Sequence, residues 1–195
     1  MKIAVLGTGE VGTAMSTRLK DLGHDVVLGS RQPHDAKNGI PVLTHAEAAA
    51  HGEWIINAMH GEHAMEVLPS LPLDGKLLMD QGNFQSSIEG PITETLGESL
   101  QRALPRTRVV KAMNFVGASL MGHPEKLEGR HTVFVAGNDE SARKEVTSLL
   151  QSIGWHDILD LGDLTACRAM ESMGPLWVRL NKVLDTVRFD IEVVR

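Results

Sequence analysis

KIAVLGTGEVG, residues 2–12, is the stretch of sequence that decides the fold. A short apolar run from Lys2 to Leu6 leads directly into three glycines spaced as GxGxxG. Apolar residues then recur at helical spacing as far as Gly23, a residue type typical of a helix end. The stretch therefore predicts a strand, a glycine turn and an amphipathic helix.

Each glycine of this turn has its own physical role in dinucleotide binding. Gly7 permits the sharp turn, Gly9 lets the backbone approach a pyrophosphate, and Gly12 lets the helix pack closely on the strand. The helix amino terminus would offer free N–H groups and partial positive charge to the phosphates. Glycines that serve only a tight turn are the alternative, but the surrounding strand, helix and second strand favour dinucleotide binding. The predicted cofactor contacts here are Gly7, Thr8, Gly9, Glu10, Val11 and Gly12.

The residues after the second predicted strand indicate which dinucleotide binds. An enzyme built for NAD usually places a carboxylate there, whereas this chain has Ser30 and Arg31. The Ser30 hydroxyl can donate a hydrogen bond to a 2′-phosphate, and the Arg31 guanidinium can pair with it. Lys37 would add charge from the following loop, although Asp35 opposes it. The sequence therefore predicts NADP(H), with a solvated surface arginine as the alternative for Arg31.

Further apolar runs lack polar alternation, as strands covered on both faces do. The predicted strands after the first are residues 25–29, 54–59, 76–80, 108–112, 132–136 and 158–161, and the predicted helices between them lie near residues 44–51, 62–68, 92–104 and 139–153. This order predicts an α/β doubly wound (Rossmann) parallel sheet in residues 1–162 and a C-terminal helical segment in residues 163–195.

The C-terminal segment predicts a long helix over residues 164–188. Gly174 and Pro175 interrupt it, so a break is expected near residue 173. Its apolar stripe is compatible with three roles: core packing, a wall of the substrate cleft, or a subunit interface. Because such a stripe exceeds what one core needs, we expect a homodimer, with folding back over the cleft as the alternative. The stripe comprises Met170, Met173, Trp177, Leu180, Leu184 and Val187.

Composition excludes several classes of protein. With 42% hydrophobic and 23% charged residues the chain of 195 residues is an ordinary globular one. A net charge of −6 and scattered basic residues argue against a nucleic-acid surface. No long apolar stretch or leader is evident, so no membrane span or signal peptide is predicted and a cytoplasmic location is expected. The single cysteine, Cys167, is interpreted as a buried apolar residue.

Five segments together resemble the deazaflavin-dependent NADP reductase family. They are GTGEVG (7–12), GHDVVLGSR (23–31), NAMHGEHA (57–64), VVKAMNFVGASLM (109–121) and GDLTACRAMESMGPLW (162–177). The best-known members exchange hydride between NADPH and coenzyme F-420. This chain has Gly7-Thr8 and His60-Gly61 where deazaflavin-specific members often carry an extra glycine and a proline-tryptophan pair. Related cytoplasmic domains of membrane ferric reductases use a flavin, so FMN and FAD stay open as acceptors.

The resemblance also implies roles for residues outside the glycine turn. It implies that Met59 and His60 contact the cofactor and that the final helix closes the acceptor cleft through Met173 and Leu176. The residues implied to border the nicotinamide are Asn114, Val116, Gly117 and Ala118.

The function predicted from these features is hydride transfer between NADPH and a small-molecule acceptor, a deazaflavin or flavin. Stacking the two rings is the main requirement, so no catalytic residue is singled out. One alternative is a regulatory module that senses NADP(H) without turnover. Another is a reductase of a small imine or ketone, which would need a proton donor such as His60 or Asp80. No metal site is predicted, because His60 and His63 lack a third ligand at suitable spacing.

Overall fold

The computed structural model describes all residues from Met1 to Arg195 and contains one eight-stranded sheet. The strands are β1 (Lys2–Leu6), β2 (Asp25–Ser30), β3 (Val42–Thr44), β4 (Trp54–Asn57), β5 (Leu77–Asp80), β6 (Arg108–Ala112), β7 (Thr132–Gly137) and β8 (Asp157–Asp160). Their order across the sheet is β3-β2-β1-β4-β5-β6-β7-β8. All neighbouring pairs are parallel except β6 and β7, which are antiparallel.

Helices connect most of the strands. They are α1 (Glu10–Asp21), α2 (His45–His51), α3 (Gly61–Val67), α4 (Gln85–Glu89), α5 (Leu96–Ala103), α6 (Ala118–Met121), α7 (Glu140–Ile153), α8 (Cys167–Glu171) and α9 (Met173–Leu184). Local chemistry sets several of their ends. Thr44 and Glu47 form a capping box at the start of α2, and the Asp139 side chain caps α7. No helix is long and apolar enough to cross a membrane.

Both faces of the sheet are covered by apolar clusters. Along β1, Ile3 and Val5 belong to a cluster of 25 buried residues, whereas Ala4 and Leu6 belong to a second cluster of 18. Alternate residues of a strand point to opposite faces, so one short run serves two cores. This arrangement confirms the predicted doubly wound α/β fold.

The structure adds elements that the sequence patterns did not reveal. Strand β3 and helices α4 and α6 were not predicted, and each has only three to five residues. Strand β7 lies at the predicted place but runs antiparallel to β6. A buried antiparallel strand carries the same apolar run as a parallel one, so the pattern does not encode its direction.

The predicted break in the C-terminal segment is present. Helix α8 ends at Glu171, and α9 begins at Met173 with Pro175 in its first turn. Helix α9 ends at Leu184, earlier than predicted, because Asp185 adopts a left-handed backbone with φ 51°. The tail then returns to the sheet, where the backbone N–H of Thr132 donates to the carbonyl of Ile191 at 2.8 Å.

Candidate active site

A cavity of about 530 Å³ lies at the carboxyl ends of the central strands. Its walls come from the start of α1, the loops after β4, β5 and β6, helix α9 and the tail. Open α/β sheets bind ligands in this crevice, next to the strand where the connections change direction. The lining residues are Gly9, Glu10, Val11, Ala58, Met59, His60, Gln81, Gly82, Asn83, Gln85, Ile88, Asn114, Phe115, Val116, Gly117, Ala118, Ser119, Met121, Gly174, Trp177, Val178 and Val187.

The glycine turn forms one end of the cavity. Gly7 has φ 120°, a backbone conformation that favours glycine, and its N–H donates to the Gly29 carbonyl at 2.9 Å. A Cβ at Gly12 would lie 1.9 Å from the Gly7 carbonyl oxygen, so this glycine is required by packing. A Cβ at Gly9 would meet nothing within 4 Å. Packing therefore does not require a glycine at this position, and the open space leaves room for the close approach of a pyrophosphate.

The amino terminus of α1 is suited to an anion. No side chain caps it, because Gly9 occupies the N-cap position. The first backbone N–H groups of a helix have no partner within the helix and carry partial positive charge. Together with the open face of Gly9, these donors fit the phosphates of a dinucleotide.

The residues predicted to read a 2′-phosphate lie beside this turn rather than in the cavity. Lys37 is half-buried, and its Nζ donates to the Thr8 carbonyl at 2.8 Å. Arg31 is exposed at the end of β2. Ser30 is half-buried, and its hydroxyl bonds locally to the backbone of Gln32 at 3.1 and 3.2 Å. Two cationic side chains thus stand near the turn, one of them tethered to it.

Beneath the loops after β5 and β6 lies a fully buried charge network. Lys111 Nζ lies 2.8 Å from Asp80 Oδ2 and 2.9 Å from Glu171 Oε1, and all three side chains are inaccessible to solvent. Asn57 Nδ2 donates to the other Asp80 oxygen at 2.7 Å. Burial alone would lower the pKa of Lys111, but the two carboxylates raise it above its usual value. Lys111 therefore remains protonated and positively charged.

Glu171 also caps a helix. Its carboxylate accepts hydrogen bonds from the backbone N–H groups of Leu96 at 2.9 Å and Gly97 at 3.1 Å, at the start of α5. This carboxylate sits where the partial positive charge of the helix terminus stabilises it. Cys167 packs against Gly97, and burial raises the pKa of its thiol to about 12. The prediction that Cys167 is a buried apolar residue is confirmed.

The network fixes the loops that line the cavity. Asp80 Oδ1 accepts the backbone N–H of Gly82 at 3.1 Å, and Asn57 Oδ1 accepts that of Met59 at 3.1 Å. Asn114 and Asn83 exchange two hydrogen bonds, at 2.9 and 3.0 Å, and Asn114 Nδ2 also donates to the Met170 carbonyl at 2.9 Å. The walls are thereby tied to one another and to α8.

Sequence reasoning missed this network. A lysine within the apolar strand RVVKA was a signal, because a buried ammonium needs a carboxylate partner. Asp80, considered above as a proton donor, is fully buried with both oxygens engaged and does not line the cavity. No three histidine, cysteine, aspartate or glutamate side chains are grouped to hold a metal ion.

The structure brings most of the predicted site residues together. Gly7, Thr8 and Gly12 form the turn behind the cavity. Met173 and Leu176 do not line it; Gly174, Trp177 and Val178 of the same helix do. The predicted residues that line the cavity are Gly9, Glu10, Val11, Met59, His60, Asn114, Val116, Gly117 and Ala118.

Comparison with known proteins matches this architecture to reductases. Residues 2–83 match the family model described as NADP oxidoreductase, coenzyme F-420-dependent. A solved structure from Arthrobacter sp. FB24, provisionally assigned as an F-420-dependent NADP reductase, is 39% identical, covers 100% of both chains and has a TM-score of 0.93. The chain belongs to the coenzyme F-420-dependent NADP oxidoreductase family.

Two further proteins similar to this chain are named as reductases. The F-420-dependent NADP reductase of Methanocaldococcus jannaschii is 28% identical over 93% of this chain and 92% of its own length. Human metalloreductase STEAP2 is 31% identical over 88% of this chain and 35% of its own length. The chain thus spans about a third of the length of the metalloreductases that it matches, 35–36%.

Proposed function

We propose that this protein binds NADPH and transfers its hydride to a planar acceptor, coenzyme F-420 in the first instance. The observation that carries the proposal is the glycine turn. Packing does not require a glycine at position 9, and this residue lines the cavity. The NADP oxidoreductase family and the reductases named above support the same chemistry.

NADPH is favoured over NADH by the side chains around the turn. Arg31 is free to pair with a 2′-phosphate, and Lys37 already holds its ammonium at the Thr8 carbonyl. No carboxylate directly follows β2 to accept a hydrogen bond from a ribose hydroxyl. We assign Ser30, Arg31 and Lys37 to recognition of the phosphate.

The reaction needs positioning rather than acid–base chemistry. NADPH supplies a hydride from its nicotinamide ring, and a deazaflavin accepts it. The chain's own task is to orient the rings and to exclude water. Phe115 and Val116 of the β6 loop and Trp177 of α9 line the cavity with apolar surface. The two asparagines, Asn83 and Asn114, hold the neighbouring loops after β5 and β6 at a fixed spacing.

Turnover with defined acceptors tests the proposal. NADPH oxidation would be followed with oxidised coenzyme F-420, FMN, FAD and a ferric chelate, each with the wild-type chain and with Gly9→Val. We expect turnover with F-420 that the variant abolishes. Turnover with a flavin but not with F-420 would show that the acceptor is a flavin. Tight NADPH binding without turnover of any acceptor would indicate a sensor.

We also propose that the protein forms a homodimer through the outer face of α9. Leu176, Val183 and Leu184 lie at i, i+7 and i+8 on this helix and are 50%, 69% and 51% exposed. A two-fold partner would cover the same face on both copies. Light scattering should give twice the 21.2 kDa chain mass, and Val183→Glu should halve it, whereas Val194→Glu at the tail should not. A single-chain mass for the wild type would contradict the dimer.

A cytoplasmic location completes the proposal. The single cysteine, Cys167, is free and buried, so the fold depends on no disulfide. Fractionation of cells expressing the full protein would test this, and recovery with the membrane or in the exported fraction would contradict it.

A further inference from the structure

Gln81 is a buried polar residue on the cavity wall. It is the first residue after β5, it lines the cavity, and only 5% of its surface is exposed. Its backbone N–H donates to the Asn57 carbonyl at 3.2 Å. The side-chain oxygen Oε1 is buried and has no hydrogen-bond partner. An unpaired buried acceptor costs stability, so a feature of this kind calls for an explanation.

Two methionines determine which way the Gln81 amide faces. Its Nε2 lies 3.6 Å from Met113 Sδ and 3.9 Å from Met121 Sδ. A thioether sulfur accepts weakly and cannot donate, so the NH₂ group belongs on the side of the sulfurs. The opposite orientation would place the carbonyl oxygen against two acceptors. The carbonyl is therefore the group left to bind something else.

The backbone at Met113 supports this arrangement. Met113 directly follows β6 and has φ 60°, a left-handed conformation uncommon for a residue with a side chain. Its backbone carbonyl accepts the N–H of Val116 at 3.1 Å, and its side chain is 2% exposed. Conformations of this kind persist where the surrounding structure enforces them, and they cluster at functional sites. Here the conformation accompanies the contact between the Met113 sulfur and Gln81.

We propose that the Gln81 carbonyl is the specificity determinant for the reacting ring, accepting a hydrogen bond from an amide-type N–H. The inference rests on the proposed function and deepens it. Gln81 lies past the end of β5, two strands from the glycine turn of β1, a separation of about 10 Å across the sheet. Two rings would carry the required donor: the nicotinamide, through its carboxamide, and the deazaflavin, through its imide N–H.

Calorimetric binding separates the two sources without relying on turnover. The first arm compares NADP⁺ with its 3-acetylpyridine analogue, in which a methyl ketone replaces the carboxamide and no N–H remains. The second arm compares F-420 with an N3-methylated deazaflavin, using protein saturated with NADP⁺. Each pair is titrated into the wild type, Gln81→Met and Gln81→Leu. Gln85→Met is the matched control, because Gln85 lines the same cavity but is exposed and bonds to Glu89 at 2.7 Å.

We expect the wild type to prefer the N–H-bearing ligand of one pair by about five- to twentyfold, the effect of one hydrogen bond in a buried site. Gln81→Met and Gln81→Leu should reduce that preference to less than about twofold, whereas Gln85→Met should retain it. Thermal unfolding checks that each variant is folded, and Gln81→Leu, which also lacks an acceptor, carries the test if Gln81→Met does not fold.

The outcomes distinguish this inference from the proposed function. If NADP⁺ and F-420 bind but Gln81→Met keeps the wild-type preference in both arms, the role of Gln81 is wrong and the proposed function stands. If the preference disappears in the first arm, the donor is the nicotinamide carboxamide; if in the second, it is the deazaflavin imide. If NADP⁺ does not bind the wild type, both ideas fall together.

Discussion

The two ends of the cavity are built by different means. The glycine end is encoded by six successive residues, 7–12, and it acts through the backbone. The opposite end depends on side chains from distant parts of the chain, with Asp80, Lys111 and Glu171 meeting in a fully buried network beneath its loops. A backbone site can be recognised from spacing alone, whereas a side-chain site exists only after the chain has folded. Substitutions at the side-chain end should therefore reduce folding stability, whereas substitutions at the glycine end should reduce cofactor binding.

The largest effect is expected at the side-chain end. Lys111→Met would leave the buried carboxylates of Asp80 and Glu171 without their cation, at a cost of about 3–5 kcal/mol in the free energy of unfolding. Urea denaturation would measure the loss. Lys144→Met is the control, because its exposed pair with Glu140 contributes at most about 0.5 kcal/mol. Equal stability losses for the two variants would show that the buried network contributes no more to folding than an exposed ion pair does.

Gly9→Val probes the backbone end, where binding rather than folding should fail. The new side chain would occupy open space in the free protein, so the melting temperature should change little. It would block the approach of the pyrophosphate, and NADP⁺ affinity should fall by about a hundredfold or more, which is roughly 2.7 kcal/mol. Gly12→Ala should show the reverse, because its Cβ would lie 1.9 Å from the Gly7 carbonyl oxygen. Normal NADP⁺ binding by Gly9→Val would reduce the glycine turn to a purely structural role.

Arg31→Ala should produce a smaller and more selective loss at the same end. Removing the guanidinium should weaken NADPH binding by about tenfold or more, through roughly 1.5–3 kcal/mol of charge-assisted hydrogen bonding. NADH binding should hardly change, since it lacks the 2′-phosphate. Arg102→Ala, an exposed arginine on α5, provides the control. A similar loss for both cofactors would overturn the assignment of Arg31.

The smallest effect concerns the tail that closes the side-chain end. Burial raises the pKa of Asp190 to about 6, and its Oδ2 has no partner. The folded state then holds a proton that the unfolded state has released, so stability falls as pH rises from about 4 to 6. Asp190→Asn should remove this slope and add about 1–2 kcal/mol at pH 7.5, less than the full shift implies because the residue is only half-buried. Parallel stability curves for variant and wild type would show that Asp190 does not titrate in this range.

The same contrast explains what the sequence could and could not predict. The glycine turn, the long helices and seven of the strands follow from periodicity, which needs several residues in a row. Strand β3 has only three residues and helix α6 only four, too few to show a period. Lys111 was visible within an apolar strand, but its partners lie 31 and 60 residues away and could not be paired by spacing. The orientation of the Gln81 amide could not be predicted, because the two methionines beside it set that orientation.

Glu171 has a consequence for attempts to divide the chain. This one carboxylate both balances Lys111 and caps α5, yet it lies beyond residue 162, where the sequence pattern suggested a boundary. A fragment ending at residue 162 would leave an ammonium with a single counter-ion and the first N–H groups of α5 bare. Assembly of the cavity floor must therefore wait for the last part of the chain to be synthesised. Any swap of the C-terminal segment for one from a relative should carry a glutamate at this position with it.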